Sequence, residues 1–470
     1  MEDHMANHSK NYREKELEIS AIETTNERLT GRAGLALFVD YLHRIDLFPR
    51  LDRSFGSIRK NRKGLKSVEL IKQVLCFMFD GTSRHLTYFD ELANDPGYAG
   101  TIETTMDKMA SSHRMNRFFK AFSFVRNHQF RLILQDLFIW RLKTEKPDLI
   151  ELGIDTMVMD NDDARCRHGV KPTYKKKKGF QPLQMNWGRL IVDAVFRSGD
   201  KGSNDKDTVQ KMIDHMVRKI RKKYRADVPI IIRMDTGFFD QKIFKLCEEL
   251  NVGYVCGGRL YKDMKTYARG ISRENWRRFS SGSKDYWEYF EFGTMRSTWD
   301  EYRRSIYCRL IDDGAQMYLP ESRPDTLIVT NMGMGREIDE MLQRIGKENY
   351  KEAGNLVACY HERGSDELAN RALKDFGHEQ LPFKCFHPNT AWYFMMLLGH
   401  FLMESFKKDV CAPVLAIGSY ATTVRRKLID IAGKIVTHSG NVILKVTKAC
   451  YEGLNLPLLF ERCKQAPVIG

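Results

Sequence analysis

The chain has 470 residues, with Lys+Arg 76 against Asp+Glu 61, a formal net charge of +15 and 42% hydrophobic residues. That hydrophobic content excludes a disordered polymer, and the length predicts two or three domains with sizeable cores. The positive balance favours a polyanionic partner, nucleic acid ahead of a membrane surface, over a charge that serves solubility alone.

Residues 1–24 read as a mobile polar arm with no signal-peptide core. Residues 25–147 read as mostly helical, since GRAGLALFVDYLHRIDLFPRL and SVELIKQVLCFMFDG carry apolar residues at helical spacing. IRKNRKGLKS (58–67) is a basic connector, and the stretch 112–143 interleaves basic residues with aromatics. That stretch either lines a nucleic-acid path or turns a cationic outer face to solvent. The pattern then changes. DLIELGIDTMVMD (148–160), GRLIVDAVF (188–196), VPIIIRMD (228–235) and VGYVCGG (252–258) read as strands, with helices at 207–224 and 239–250. Such alternation predicts crossover units and a partly parallel sheet.

Residues 259–323 break the rhythm and predict a mostly β insertion, with YWEYFEF and RRSIYCRLI as strands. TLIVTNM (326–332) resumes the main sheet, followed by helices near 334–347, 361–376 and 388–408. The run YFMMLLGHFLM (393–403) is too short to cross a bilayer and contains His400, so it predicts a buried helix. The tail 424–446 predicts a helix leading into a hairpin. The expected division is therefore 148–258 and 324–410 as two parts of one core, 259–323 as an insertion and 411–470 as a C-terminal region. Ten scattered cysteines without a Cys-x-x-Cys predict free thiols in a reducing compartment.

The acidic residues carry the chemistry. In α/β sheets functional side chains gather at the carboxyl ends of strands. Asp155 lies late in the first strand, with Asp160, Asp162 and Asp163 just beyond, and Asp235 closes the apolar run IIIRMD. A charge ending a buried strand is costly unless it has a partner, which favours a ligand or catalytic role. Glu367 supplies a third carboxylate from a helix. Three such groups can hold two Mg²⁺ about 3.5–4 Å apart for phosphoryl transfer on a nucleic-acid backbone. No phosphate-binding Gly-x-x-x-x-Gly-Lys-Ser/Thr, Gly-x-Ser-x-Gly or His-Glu-x-x-His is present.

YHERGSDELANRALK (360–374) places Tyr360, Arg363, Glu367 and Lys374 at steps of three, four and seven. On a helix turning about 100° per residue they share one stripe, roughly opposite Leu368, Ala369, Ala372, Leu373 and Phe376, an arc that predicts the buried face. On spacing alone the stripe reads first as a solvated face with helical ion pairs. TYKKKKGF (173–180) likewise reads as a solvated loop or as a phosphate-contacting run, Lys175, Lys176, Lys177 and Lys178.

Tyr360-x2-Arg363-x3-Glu367-x6-Lys374 resembles the Tyr-Arg-Glu-Lys signature of DDE-type bacterial insertion-sequence transposases. IIIRMDTGFFD and IELGIDT resemble that family's second and first aspartate segments, and RRKLIDIAGKIV its C-terminal segment. The resemblance spans roughly residues 28–450, in the same order of segments. It implies an RNase H-like mixed α/β sheet flanked by helices, interrupted by a mostly β insertion, behind a helical N-terminal DNA-binding or dimerisation domain. It further implies cut-and-paste movement of a DNA element, with Asp155, Asp235 and Glu367 as the catalytic, metal-binding triad. Asp160 or Asp162 is the alternative first carboxylate. Tyr360, Arg363 and Lys374 would hold DNA phosphates beside it. The implied cofactor is Mg²⁺, with Mn²⁺ substituting. The implied partners are transposon ends, target DNA and further copies of the chain in a dimer or larger synaptic complex, with no membrane and a cytoplasmic, nucleoid-associated location. One of Trp276, Trp287 and Trp299 in the insertion either stacks on a flipped base or, like the others, fills core. A catalytically silent DNA-binding regulator and a standalone nuclease are the alternatives; the intact acidic set argues against the first.

Overall fold

The computed structural model describes residues 19, 21–58, 64–164, 166–280, 285–312, 317, 325–361 and 364–470, without the side chains of 364–366. Most of the arm at 1–24, much of the basic connector and Arg363 therefore lie outside the described residues.

A short strand, β1 (Arg28–Thr30), precedes the helical region of α1 (Leu35–Arg44), α2 (Leu47–Phe55), α3 (Ser67–Asp80), α4 (Tyr88–Leu92), α5 (Pro96–Thr101), α6 (Ser112–Lys120) and α7 (Phe124–Glu145). The starts of α5 and α6 are written locally. Asp95 accepts the Tyr98 N–H at 2.8 Å, with Pro96 opening the helix, and Ser111 caps α6. The basic–aromatic stretch at 112–143 is thus two helices, and the second buries Phe130, Leu134, Leu137 and Phe138. That burial makes much of it core rather than an open path.

The strands β2 (Ile150–Thr156), β3 (Met159–Asp160), β4 (Lys171–Pro172), β5 (Lys178–Phe180), β6 (Leu183–Trp187) and β7 (Leu190–Val195) follow. Helix α8 (Thr208–Lys223) leads into β8 (Ile230–Met234), and α9 (Gln241–Glu249) into β9 (Gly253–Gly258). The next segment holds α10 (Lys262–Gly270), β10 (Arg277–Ser280), β11 (Tyr286–Thr294) and β12 (Arg303–Asp312), before β13 (Thr326–Thr330). Then come α11 (Glu337–Arg344), α12 (Ala353–His361), α13 (Gly364–Phe376), α14 (Phe386–Phe406), α15 (Ala421–Val424), the hairpin β14 (Gly433–His438) and β15 (Asn441–Val446), α16 (Lys448–Gly453) and α17 (Leu456–Lys464).

The described strands build one nine-stranded sheet in the order β10-β11-β12-β13-β9-β8-β2-β6-β7. Its last five strands are the RNase H arrangement. β2, β6 and β7 form an antiparallel meander, and β8 and β9 add to the other side of β2 in parallel. Parallel strands are covered on both faces, which is why β8 is an unbroken buried Ile-Ile-Ile-Arg-Met. The segment expected as an insertion is not a separate layer. Its strands β12, β11 and β10 continue the same sheet beyond β13, each antiparallel to its neighbour. β6 escaped the sequence reading, as did the small sheet β3-β5-β4 between β2 and β6.

Helix α14 is buried on all sides from Pro388 to Phe406 and packs against α3 and α7. Desolvation drives the His400 imidazole down to about 3, so it is neutral in the core. Among the described residues no helix is long and apolar enough to cross a membrane. Strand β1 pairs with β14, tying the start of the helical region to the C-terminal hairpin.

Arg131 on α7 joins the helical region to the nine-stranded sheet. Its Nε and Nη2 donate to the two carboxylate oxygens of Asp193 on β7, each at 2.6 Å, and Asp193 is fully buried. Removing one partner of such a pair leaves a buried charge. Arg131→Met is therefore expected to destabilise the protein by about 3–5 kcal/mol, and Arg131→Met with Asp193→Leu to recover most of that loss. Denaturant unfolding of the single and double variants checks this; a single variant as stable as the native chain contradicts it.

Candidate active site

The site begins at the seam between β2 and β8. These strands run parallel, with Ile154 beside Met234. One residue further on, Asp155 and Asp235 emerge side by side at the carboxyl ends of adjacent strands, roughly 5 Å apart along the hydrogen-bonding direction. Both are half-buried. Asp155 Oδ1 accepts the N–H of Thr156 at 2.7 Å. Asp235 begins a single helical turn, Thr236–Phe238, and its Oδ1 accepts the Gly237 N–H at 2.8 Å. The turn is tight: a Cβ on Gly237 would lie 2.7 Å from Ser203 Oγ and 2.9 Å from Asp235 Oδ1. Glycine here lets the aspartate fold back on its own backbone.

Helix α13 meets this seam from the side. Asn370 Nδ2 donates to Asp155 Oδ2 at 2.9 Å. The opposite face of the helix sinks Ala369, Ala372, Leu373 and Phe376 into the core, whereas Leu368, expected on that face, is 41% exposed at its margin. Glu367 lies three residues before Asn370 and so on the same face, at the mouth of the seam. It is exposed and has no hydrogen bond or ion pair among the described residues. Lys374, four residues after Asn370, pairs with Glu379 at 3.1 Å.

Tyr360 ends α12 and reaches the same edge. A Cβ on Gly257 of β9 would collide with the Tyr360 hydroxyl and stand 2.7 Å from Thr236 Oγ1. The tyrosine therefore lies against bare backbone next to the residue that follows Asp235. His361, its neighbour, stacks on Trp287 of β11 with ring centroids 3.8 Å apart.

Asp160 sits apart from this seam. It belongs to the small sheet, its Oδ1 accepts the Asp162 N–H at 3.0 Å, and its Oδ2 pairs with Lys177 at 3.4 Å. Its own N–H donates to Glu379 Oε2 at 2.9 Å. Fully buried Asn161 adds a second tie, donating to the Glu379 carbonyl at 2.9 Å and accepting the Leu381 N–H at 2.9 Å. The small sheet is thus fastened to the chain that leaves α13.

The exposed lysines 175–177 lie in the turn between β4 and β5, and exposed Lys178 opens β5. Thr173 closes the turn by donating its N–H to the Lys177 carbonyl at 2.9 Å and its hydroxyl at 2.8 Å, and Lys176 takes a left-handed φ of 60°. Tyr174 shares this turn, with the Lys175 ammonium 5.7 Å from its ring centroid. The Tyr174 side chain is 62% exposed, yet its hydroxyl is raised above the ordinary tyrosine range. Desolvation is the largest cause, followed by the charges of Asp155, Asp235 and Glu367 together. One hydroxyl thereby senses all three carboxylates.

The donors suit a hard divalent cation in kind, being carboxylate oxygens on a rigid sheet edge and a neighbouring helix. Among the described residues, however, no three His, Cys, Asp or Glu side chains are drawn tightly enough to enclose an ion. Asp155 and Asp235 are paired and Glu367 stands off. The insertion tryptophans each pack on a neighbour: Trp299 is buried against Phe239 and Phe244, and Trp276 lies under Arg309 at 4.2 Å. Sequence reasoning missed Asn370, Asn161 and Tyr174. Only Asn370 had a usable signal, its three-residue offset from Glu367.

No curated protein matches the chain. Among solved structures, a cryo-EM structure of the piggyBac transposase synaptic complex with hairpin DNA is similar over 86% of this chain and 81% of that one, at 12% identity and a TM-score of 0.39. A family model described as transposase DDE domain group 1 matches residues 14–468. That match runs over nearly the whole length, and the chain belongs to the transposase DDE domain family.

Proposed function

We propose that this protein is a cut-and-paste transposase of a DNA element, acting at inverted-repeat ends and joining the freed 3′-ends to target DNA. The observation that carries the reading is the parallel pairing that sets Asp155 beside Asp235, with α13 docked on Asp155 and Glu367 on the same helical face. Asp155, Asp235 and Glu367 would hold a divalent cation, Mg²⁺ or Mn²⁺ in its place. When bound, such an ion supplies charge for the attacking and leaving oxygens of phosphoryl transfer.

The protein's own residues do the positioning. Asp155 and Asp235 are fixed by backbone and by the Thr236–Phe238 turn, so they present oxygens without reorganisation. Glu367 is the adjustable member, closing the set by a side-chain rotation from an exposed position. Arg363 and Lys374 would grip phosphates on either side of it, and Tyr360 would fix the strand edge. Lys374 and Lys177 are held at present by Glu379 and Asp160, ion pairs that a DNA phosphate would replace. Lys175–Lys178 would follow the backbone further out. Assembly of a dimer or larger complex on two ends belongs to the same reading.

Single-turnover cleavage of a labelled duplex bearing the element's ends, in Mg²⁺, tests the triad. Asp155→Ala, Asp235→Asn and Glu367→Gln are each expected to lower cleavage by about a thousandfold or more, while duplex affinity stays within about threefold of native. Asp160→Ala should keep cutting. Native-rate cleavage by the Asp235 or Glu367 variant removes the triad, and loss confined to Asp160→Ala moves the first ligand there. Strand joining in the same assay separates a transposase from a nuclease with this core.

The lysine turn makes a second expectation. Replacing Lys175–Lys178 with Gln should weaken DNA binding and flatten its salt dependence, by about 0.9 in the log–log slope for each lost phosphate contact. Binding isotherms across a salt series read this directly, and an unchanged slope marks the turn as solvated only.

A further inference from the structure

We infer that Asn370 is a positioning residue of this site: its side-chain amide sets the plane of the Asp155 carboxylate against Asp235 and anchors the face of α13 that bears Glu367. The inference rests on the proposed triad. An aspartate side chain turns easily about its last torsion, because that torsion has a broad, roughly two-fold profile. Asp155 is held at both oxygens instead. Oδ1 takes the N–H of the next residue, Thr156, at 2.7 Å, and Oδ2 takes Asn370 Nδ2 at 2.9 Å. The first bond is local to β2. The second crosses from a helix 215 residues away, so it fixes the carboxylate relative to α13 as well as to its own strand.

The helix is otherwise fixed by apolar burial. Ala369, Ala372, Leu373 and Phe376 set its depth and rotation from the far side. That packing leaves the height of Glu367 over the strand ends to be set on the polar face, where Asn370 sits one turn from Glu367 and one turn from Lys374. An amide suits the position. It is neutral, so it donates to Asp155 without cancelling the charge a cation needs, as a lysine or arginine there would. It is also short, so it tolerates little play.

The test uses the full chain and two readouts, Mn²⁺ binding from the paramagnetic resonance of the unbound ion, and the Mg²⁺ dependence of single-turnover cleavage. Asn370→Ala is expected to weaken Mn²⁺ binding and raise half-saturating Mg²⁺ by roughly tenfold or more, the usual cost of losing a group that orients a metal ligand. Cleavage should recover most of its native rate at saturating Mg²⁺, and the melting temperature should hold. Asn370→Gln, which keeps the amide on a longer arm, should lie between the two. Native Mn²⁺ affinity and native Mg²⁺ dependence in Asn370→Ala overturn the inference, as does a lowered melting temperature with equal loss of cleavage at every Mg²⁺ concentration. A native chain that neither binds Mn²⁺ nor cleaves overturns the proposed triad with it, whereas a native chain that does both leaves the Asn370 result to stand alone.

Discussion

The parallel pairing of β2 with β8 is the constraint on which the rest depends. It forces two carboxylates to stand beside each other where both strands end. Neighbouring strands lie about 5 Å apart, so like charges at these two positions stand close enough to repel. The fold offsets part of this with three N–H donors, from Thr156, Gly237 and Asn370, and by leaving both aspartates half-buried rather than sealed. Local repulsion retained at a strand end is the expected mark of a place that receives positive charge. Lys177 and Lys374 also lean on acidic partners, Asp160 and Glu379.

Everything around the seam works to keep that register. β8 is buried throughout because it is covered on both faces, and a one-residue slip would carry Asp235 away from Asp155. The crossovers through α8 and α9 lay β8 and β9 parallel to β2. On the outer edge of the meander, α7 and α14 pack against β7. At the end of the buried helix α14, Lys407 donates to Glu404 at 2.7 Å and to the Ser419 carbonyl at 2.7 Å. At the other edge, the strands β10–β12 extend the sheet and bring Trp287 onto His361, next to Tyr360.

Much of this was legible in the sequence, and the reasons are physical. The run IIIRMD announces a doubly covered strand with a charge at its end, and the helical spacing of Ala369, Ala372, Leu373 and Phe376 announces the buried face of α13. The alternation of strands and helices announces a partly parallel sheet, and the resemblance of the ordered segments to the transposase family implies the rest of the architecture. What escaped was written in few residues or in long-range partners. The strands β3, β4 and β5 are two or three residues each, too short for a period-2 pattern to register. The continuation of the main sheet into β10–β12 depends on which edge receives them, which alternation along one strand does not encode. IDTMVMD offers Asp155 first and Asp160 as its alternative, and the two lie in separate sheets. The tie from Asn161 to the chain after α13 joins residues over two hundred positions apart and leaves no local trace.

The central claim is that Asp155 and Asp235, joined by Glu367, form one cation site at the end of the β2–β8 seam. The most direct measurement is a crystal of the protein with a duplex carrying the element's ends, soaked in Mn²⁺ and read by anomalous scattering. An anomalous peak is expected between the two aspartates, with Glu367 turned in to share it and Asn370 still on Asp155. A seam without manganese, or a peak at Asp160 with Asp155 and Asp235 left bare, would contradict it.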